Sequence, residues 1–95
     1  MPTYLSAIVT VKNPEKLKEY ISQVPATMAP FNAKPVYRGK VKKALSGEGA
    51  HQIEAVFEFE SVEKIEEWYA SDAYQALIPT RKEGADMTIT ILEGF

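Results

Sequence analysis

Between Glu67 and Asp86 the chain reads EWYASDAYQALIPTRKEGAD, which gathers an indole (Trp68), two phenols (Tyr69, Tyr74), a hydroxyl (Ser71) and a basic pair (Arg81, Lys82) into twenty positions. A phenol can give or take a proton, and a guanidinium can grip a carboxylate or phenolate through paired N–H donors. Each residue also has a plainer use. Ser71 has neither a histidine base in its sequence neighbourhood nor a glycine elbow, so it reads as a helix cap rather than a nucleophile. Trp68 reads as an apolar anchor whose indole donor needs one partner if buried. Arg81 and Lys82 fall near the end of a helix, where the backbone dipole favours positive charge. The stretch is therefore chiefly structural cover, with Tyr69, Tyr74 and Arg81 the candidates for ligand contact.

Elsewhere the chemical vocabulary is sparse. The single histidine, His51, sits beside a glycine turn, a place for a solvated residue more than a catalyst. One histidine without any cysteine leaves a metal site only scattered carboxylates to draw on, so no metal or cofactor is expected. The absence of cysteine also rules out disulfides and points to a reducing, cytoplasmic setting. A net charge of -2 lacks the basic footprint of a nucleic-acid binder. The basic run RGKVKK, Arg38 to Lys43, reads as a solvated strand face. No run of apolar residues is long enough for a membrane span, so neither nucleic acid nor membrane is an expected partner.

A single domain, residues 1–95, has to position these groups. YLSAIVTV alternates like a half-buried strand; Asn13 and Pro14 then supply a cap and a first-turn proline for a helix carrying Leu17, Tyr20, Ile21, Val24 and Met28. Pro25 and Pro30 are expected to kink or end that helix. KPVYRGKVKKAL and HQIEAVFEF read as a hairpin around SGEGA, with Tyr37 facing the core and Val36, Arg38 and Lys40 facing away. Ser61 and Ser71 cap two successive helices or one broken helix, Gly84 stops the last turn, and DMTITILEG forms the final strand.

This order is a split βαβ arrangement of the α+β class: four antiparallel strands with helices on one face. The open face is expected to carry Ser6, Ile8, Thr10, Val36, Arg38, Lys40, Glu54, Val56, Glu58, Thr88, Thr90 and Leu92. So mixed a surface suggests a homodimer packed sheet to sheet around a pocket. Pairing Leu45 with His51 sets Arg38 opposite Glu58, a structural ion pair first and a ligand contact second.

Several segments carry a resemblance: RG at Arg38, EFES at Glu58, WYASDAYQAL at Trp68, the terminal LEG, and VPATMAPFNAKPVYRG ahead of strand two. Together they resemble the domain of unknown function 1330 family over nearly the whole chain. That family is similar in fold to the ferredoxin-like dimeric α+β barrels, which include monooxygenases, haem-degrading enzymes, isomerases and ligand sensors. The resemblance implies this fold and dimerisation, but no reaction. Where haem-degrading relatives place an axial histidine, this chain has Ile78, which cannot ligate iron.

Three functions are therefore expected in turn. The first is binding of a small polar or aromatic molecule in a cleft between sheet and helices, with Arg38, Glu58, Tyr69, Tyr74 and Arg81 as contacts. The second is a cofactor-independent monooxygenase or isomerase, using Tyr69, Tyr74 or His51 for proton transfer. The third is a structural or assembly role without a ligand.

Overall fold

The fold is known from a computed structural model that describes residues 2–49 and 51–95. β1 (Thr3–Val11) is followed by α1 (Pro14–Met28), a 3-10 turn (Ala29–Phe31) and the edge strand β2 (Lys34–Lys40). Then come β3 (Ile53–Phe59), three helical segments α2 (Val62–Ala70), α3 (Asp72–Gln75) and α4 (Ile78–Gly84), and β4 (Ala85–Glu93). The strands lie in the order β2-β3-β1-β4, and every neighbouring pair is antiparallel. All helices cover one side, giving a slab only 16 Å thick.

Local chemistry explains the boundaries. Asn13 caps α1 by accepting from the amides of Glu15 and Lys16. Ser61 caps α2 through the Lys64 amide. Ser71 closes α2 and opens α3, accepting the Tyr74 amide at 3.3 Å while its hydroxyl donates to the Trp68 carbonyl at 2.7 Å. The second helical region is thus three pieces where two, or one broken helix, were expected; Pro79 restarts it as α4. Pro25 does not end α1, which runs on to Met28 with the proline exposed inside it. One missing donor there is outweighed by burial of Tyr20, Val24, Thr27 and Met28 on the sheet-facing side.

Gly84 shows how tightly the helical layer closes. A Cβ there would lie 2.5 Å from the Leu17 backbone nitrogen, and the Gly84 carbonyl accepts from both Lys12 and Asn13 amides at 2.9 and 3.0 Å. Any side chain would pry the start of α1 from the end of α4.

On β1, Leu5, Ala7 and Val9 point to the helices, and their partners Phe57, Ala55 and Ile53 do the same. β2 departs from expectation. A bulge between Pro35 and Tyr37 inserts Val36, so Lys34 pairs with Glu58, Tyr37 with Val56 and Arg38 with Ala55. From the bulge onward the faces are reversed: Tyr37 lies on the open face, 71% exposed, while Arg38 and Lys40 take the helix-facing register. The expected Arg38–Glu58 pair does not form. β2 also ends at Lys40, five residues before Leu45, the expected pairing partner of His51.

Candidate functional site

The buried centre is built on Trp68 and Tyr74, which are 1% and 0% exposed with ring centroids 4.2 Å apart. α2 supplies the tryptophan, and the short α3, positioned by the Ser71 cap, supplies the tyrosine. The Trp68 indole donates to Thr27 Oγ1 at 3.0 Å, and that hydroxyl donates onward to the Val24 carbonyl at 2.7 Å. Its polar need is met inside the core, and Phe59 packs against its ring.

Around Tyr74 a polar chain crosses the helical layer. The Tyr74 and Tyr20 hydroxyls lie 2.8 Å apart, and Arg81 Nη1 donates to Tyr74 Oη at 2.7 Å and, more weakly, to Tyr69 Oη at 3.4 Å. The guanidinium also sits 5.9 and 6.0 Å from the Tyr69 and Tyr74 ring centroids. Burial and, secondarily, the adjoining Tyr74 hydroxyl push the Tyr20 phenol far above its ordinary value. For Arg81, burial favours the neutral form, but the hydrogen bonds to Tyr69 and Tyr74 outweigh it and raise the pKa further. The cluster is a charge-assisted network with Arg81 firmly cationic.

Two hollows flank it. The larger, about 550 Å³, lies between α1 and the sheet. Its floor follows from one cross-sheet row on the helix side, Arg38–Ala55–Ala7–Ile89, in which two adjacent alanines leave room that larger side chains would fill. Tyr20, Val24, Met28 and Trp68 form the opposite wall, and Val36 and Arg38 contribute from β2. The smaller, about 420 Å³, lies at the other end of the helical layer, walled by Leu5, Ile65, Met87, Ile89 and Ile91 with Tyr69, Arg81 and Glu66. Leu5, Met87 and Ile89 border both.

The structure thus divides the five candidate residues. Tyr69, Tyr74 and Arg81 come together. Arg38 is exposed on the helix-facing side at the larger hollow, whereas Glu58 is half-buried in the register of the opposite face. Among the described residues no ion pair involves either. The cause is the Val36 bulge. His51 lies in the loop before β3, its Nε2 2.9 Å from Glu54 Oε2. Among the described residues no cluster of ligand-type side chains could hold a metal, and no helix is long and apolar enough to cross a membrane. Tyr20 is the member of the network that residue type did not single out; its position on the buried stripe of α1, one turn from Val24, is the signal that brings its hydroxyl to Tyr74.

Comparison with solved structures places the fold. A protein of unknown function from Rhodopseudomonas palustris, RPA0582, superposes with a TM-score of 0.82 at 16% identity, covering 99% of this chain and 82% of that one. A dimeric ferredoxin-like protein of unknown function from Jannaschia sp. CCS1 gives 0.77 at 7% identity, covering 99% and 100%. SnoaB, a cofactor-independent oxygenase from Streptomyces nogalater, gives 0.72 at 7% identity, covering 99% and 93%. At such identities the likeness shows a ferredoxin-like α+β fold and nothing of chemistry. No curated protein matches the chain. The match to the family described as domain of unknown function (DUF1330) spans residues 2–95, so the chain belongs to that family.

Proposed function

We propose that this protein is a homodimer that binds a small, largely aromatic or apolar molecule in the larger hollow between α1 and the sheet. The observation that carries this is the Ala7–Ala55 pair beneath α1, which leaves about 550 Å³ inside a chain of 95 residues. That volume falls in the range of ligand pockets, roughly 300–1,000 Å³, and its walls are mostly apolar as such pockets are. Arg38 stands at its edge as the one guanidinium among the lining residues.

Binding is preferred to catalysis because the polar groups of the buried centre, and His51, are already committed. The Trp68 indole is spent on Thr27, Tyr74 on Tyr20 and Arg81, and His51 is bonded to Glu54 away from the hollow. The oxygenase activity carried by one neighbour of this fold is compatible with such a hollow, yet among its described lining residues the ionisable groups without a hydrogen-bond partner are Tyr37 and Arg38, both on the exposed edge strand.

Dimerisation through the open sheet face is supported by the company the fold keeps and by the face itself. Tyr4, Ile8, Val56, Tyr37 and Leu92 stand on the uncovered side, the last two at 71% and 49% exposure. These apolar and aromatic groups stand among Ser6, Glu54, Glu58, Thr88 and Thr90, and a second copy packed on the face would cover them. Arg38, having left that face, has no part in the dimer contact.

The test for binding is titration of a neutral aromatic, 2-naphthol, by calorimetry and thermal shift on wild type and Ala55→Leu. Saturable binding lost in the filled variant, with unchanged circular dichroism, is the expected result. Equal affinity in both proteins, or none in wild type, removes the proposal. Sedimentation equilibrium at micromolar concentration tests the dimer, and a stable monomer rejects it.

A further inference from the structure

We propose that the smaller hollow is a second, separate site that takes a small monocarboxylate with a short aliphatic body. The inference goes beyond the site under α1 and turns on residues that line the smaller hollow alone, Arg81, Tyr69, Ile65 and Ile91, although Leu5, Met87 and Ile89 border both. Its ground is the state of Arg81. This guanidinium is only part-exposed, yet among the described residues it joins no ion pair: the cations that do are lysines and His51. A part-buried charge without a counter-charge is costly to maintain. Here two phenol oxygens substitute for a carboxylate, and both are contacted through the same nitrogen, Nη1. Among the described residues Nε and Nη2 have no bonded partner, so the donor pair that would grip a carboxylate stays available.

The walls define the rest of the ligand. Leu5, Ile65, Met87, Ile89 and Ile91 form the apolar side of an open hollow of about 420 Å³, facing Tyr69, Arg81 and Glu66. An anion with an apolar tail fits both features at once, whereas a multiply charged phosphate would meet these walls unfavourably. Rigidity favours the same assignment. Arg81 is held from α2 by Tyr69 and from α3 by Tyr74, whose own hydroxyl is braced by Tyr20 of α1, so the fork is aimed before any ligand arrives. Glu66, on the rim, forms no ion pair with Arg81, and its negative charge opposes an incoming carboxylate.

The rim carboxylate yields a test with opposite signs. Hexanoate and its uncharged analogue hexanamide are titrated into full-length protein and followed by methyl NMR. Ile65 and Ile91 border only the smaller hollow, while Ile21 and Val24 border only the larger one. The expected result is saturable hexanoate binding that shifts Ile65 and Ile91 but not Ile21 and Val24, with hexanamide about tenfold weaker. Arg81→Gln should weaken hexanoate by about tenfold or more, and Glu66→Gln, an exposed change outside the tyrosine network, should tighten it about two- to threefold. Should Arg81→Gln fail to fold, Glu66→Gln and the hexanamide comparison still decide. Equal binding of hexanoate and hexanamide, no saturable hexanoate binding, shifts confined to Ile21 and Val24, or unchanged affinity in Glu66→Gln would each overturn the proposal. Because 2-naphthol reports on the larger hollow and hexanoate on the smaller, either site can fail without the other.

Discussion

Two arginines sit at opposite ends of the helix-facing side, and their surroundings differ in kind. Arg81 rises from α4, which packs on α1 and β4, and is fixed by two phenols. Arg38 lies on the edge strand, beyond a bulge, exposed and without an ion pair among the described residues. The same side chain is a built feature in one place and a solvated one in the other. Neighbours on several sides, more than residue type, decide whether a charge becomes part of a site. An edge strand has a partner on one side only, which makes its register and its side-chain directions the least constrained in a sheet.

If that contrast is correct, disturbing the helical centre should be costly. Trp68→Ala removes the 1%-exposed anchor that touches Phe59 and Tyr74, together with the hydrogen bond its indole donates to Thr27 Oγ1. The expected loss is about 3–5 kcal/mol, read by urea denaturation. A loss below about 1 kcal/mol would mean that the centre is no more tightly built than the edge. Gly84→Ala follows, at about 1–3 kcal/mol, because its methyl would meet the Leu17 backbone and not a flexible side-chain tip.

A pH experiment sharpens the contrast within the network. Tyr20 has its folded pKa raised, chiefly by burial, so the folded state holds this proton more tightly than the unfolded chain does. Its contribution is fully present below the unfolded value of about 10 and declines as pH rises above it towards the folded value. Stability should therefore fall as pH passes 10, and Tyr20→Phe should flatten that limb. At pH 7 the same variant should cost about 1 kcal/mol for the lost hydrogen bond to Tyr74. An unaltered alkaline slope in Tyr20→Phe would show that this phenol ionises freely in the folded protein.

Most of the architecture was legible because alternation and capping are local signals. β1, β3 and β4 follow their period-two patterns, and Asn13, Ser61 and Ser71 cap where their types suggest. Tyr69, Tyr74 and Arg81 could be named as candidates from residue type, but that three separate helical pieces bring them together is a fact of packing. The face of Arg38 was not legible. One inserted residue reverses every later side chain of a strand, and alternation alone cannot count a bulge. Pro35 was the available warning, since a proline within a strand belongs at an edge or beside a bulge. The hollow under α1 was equally hidden, because it depends on Ala7 and Ala55 meeting across two strands, a fact of pairing rather than of either segment.

The smallest expected effect is also the sharpest test of the edge. Arg38→Ala removes a charge that has no ionic partner among the described residues and a stem that covers part of an apolar opening. Its effect on stability should stay within about 0.5 kcal/mol in either direction, as for other surface positions outside a network. Urea denaturation of the dilute protein measures this directly, and repeating it at high salt separates the stem from the charge. A salt-independent loss would assign the residue to packing over the opening, since lost apolar cover is not screened. A loss above about 1 kcal/mol that salt abolishes would instead reveal an electrostatic partner for Arg38, and the two arginines would cease to be opposites.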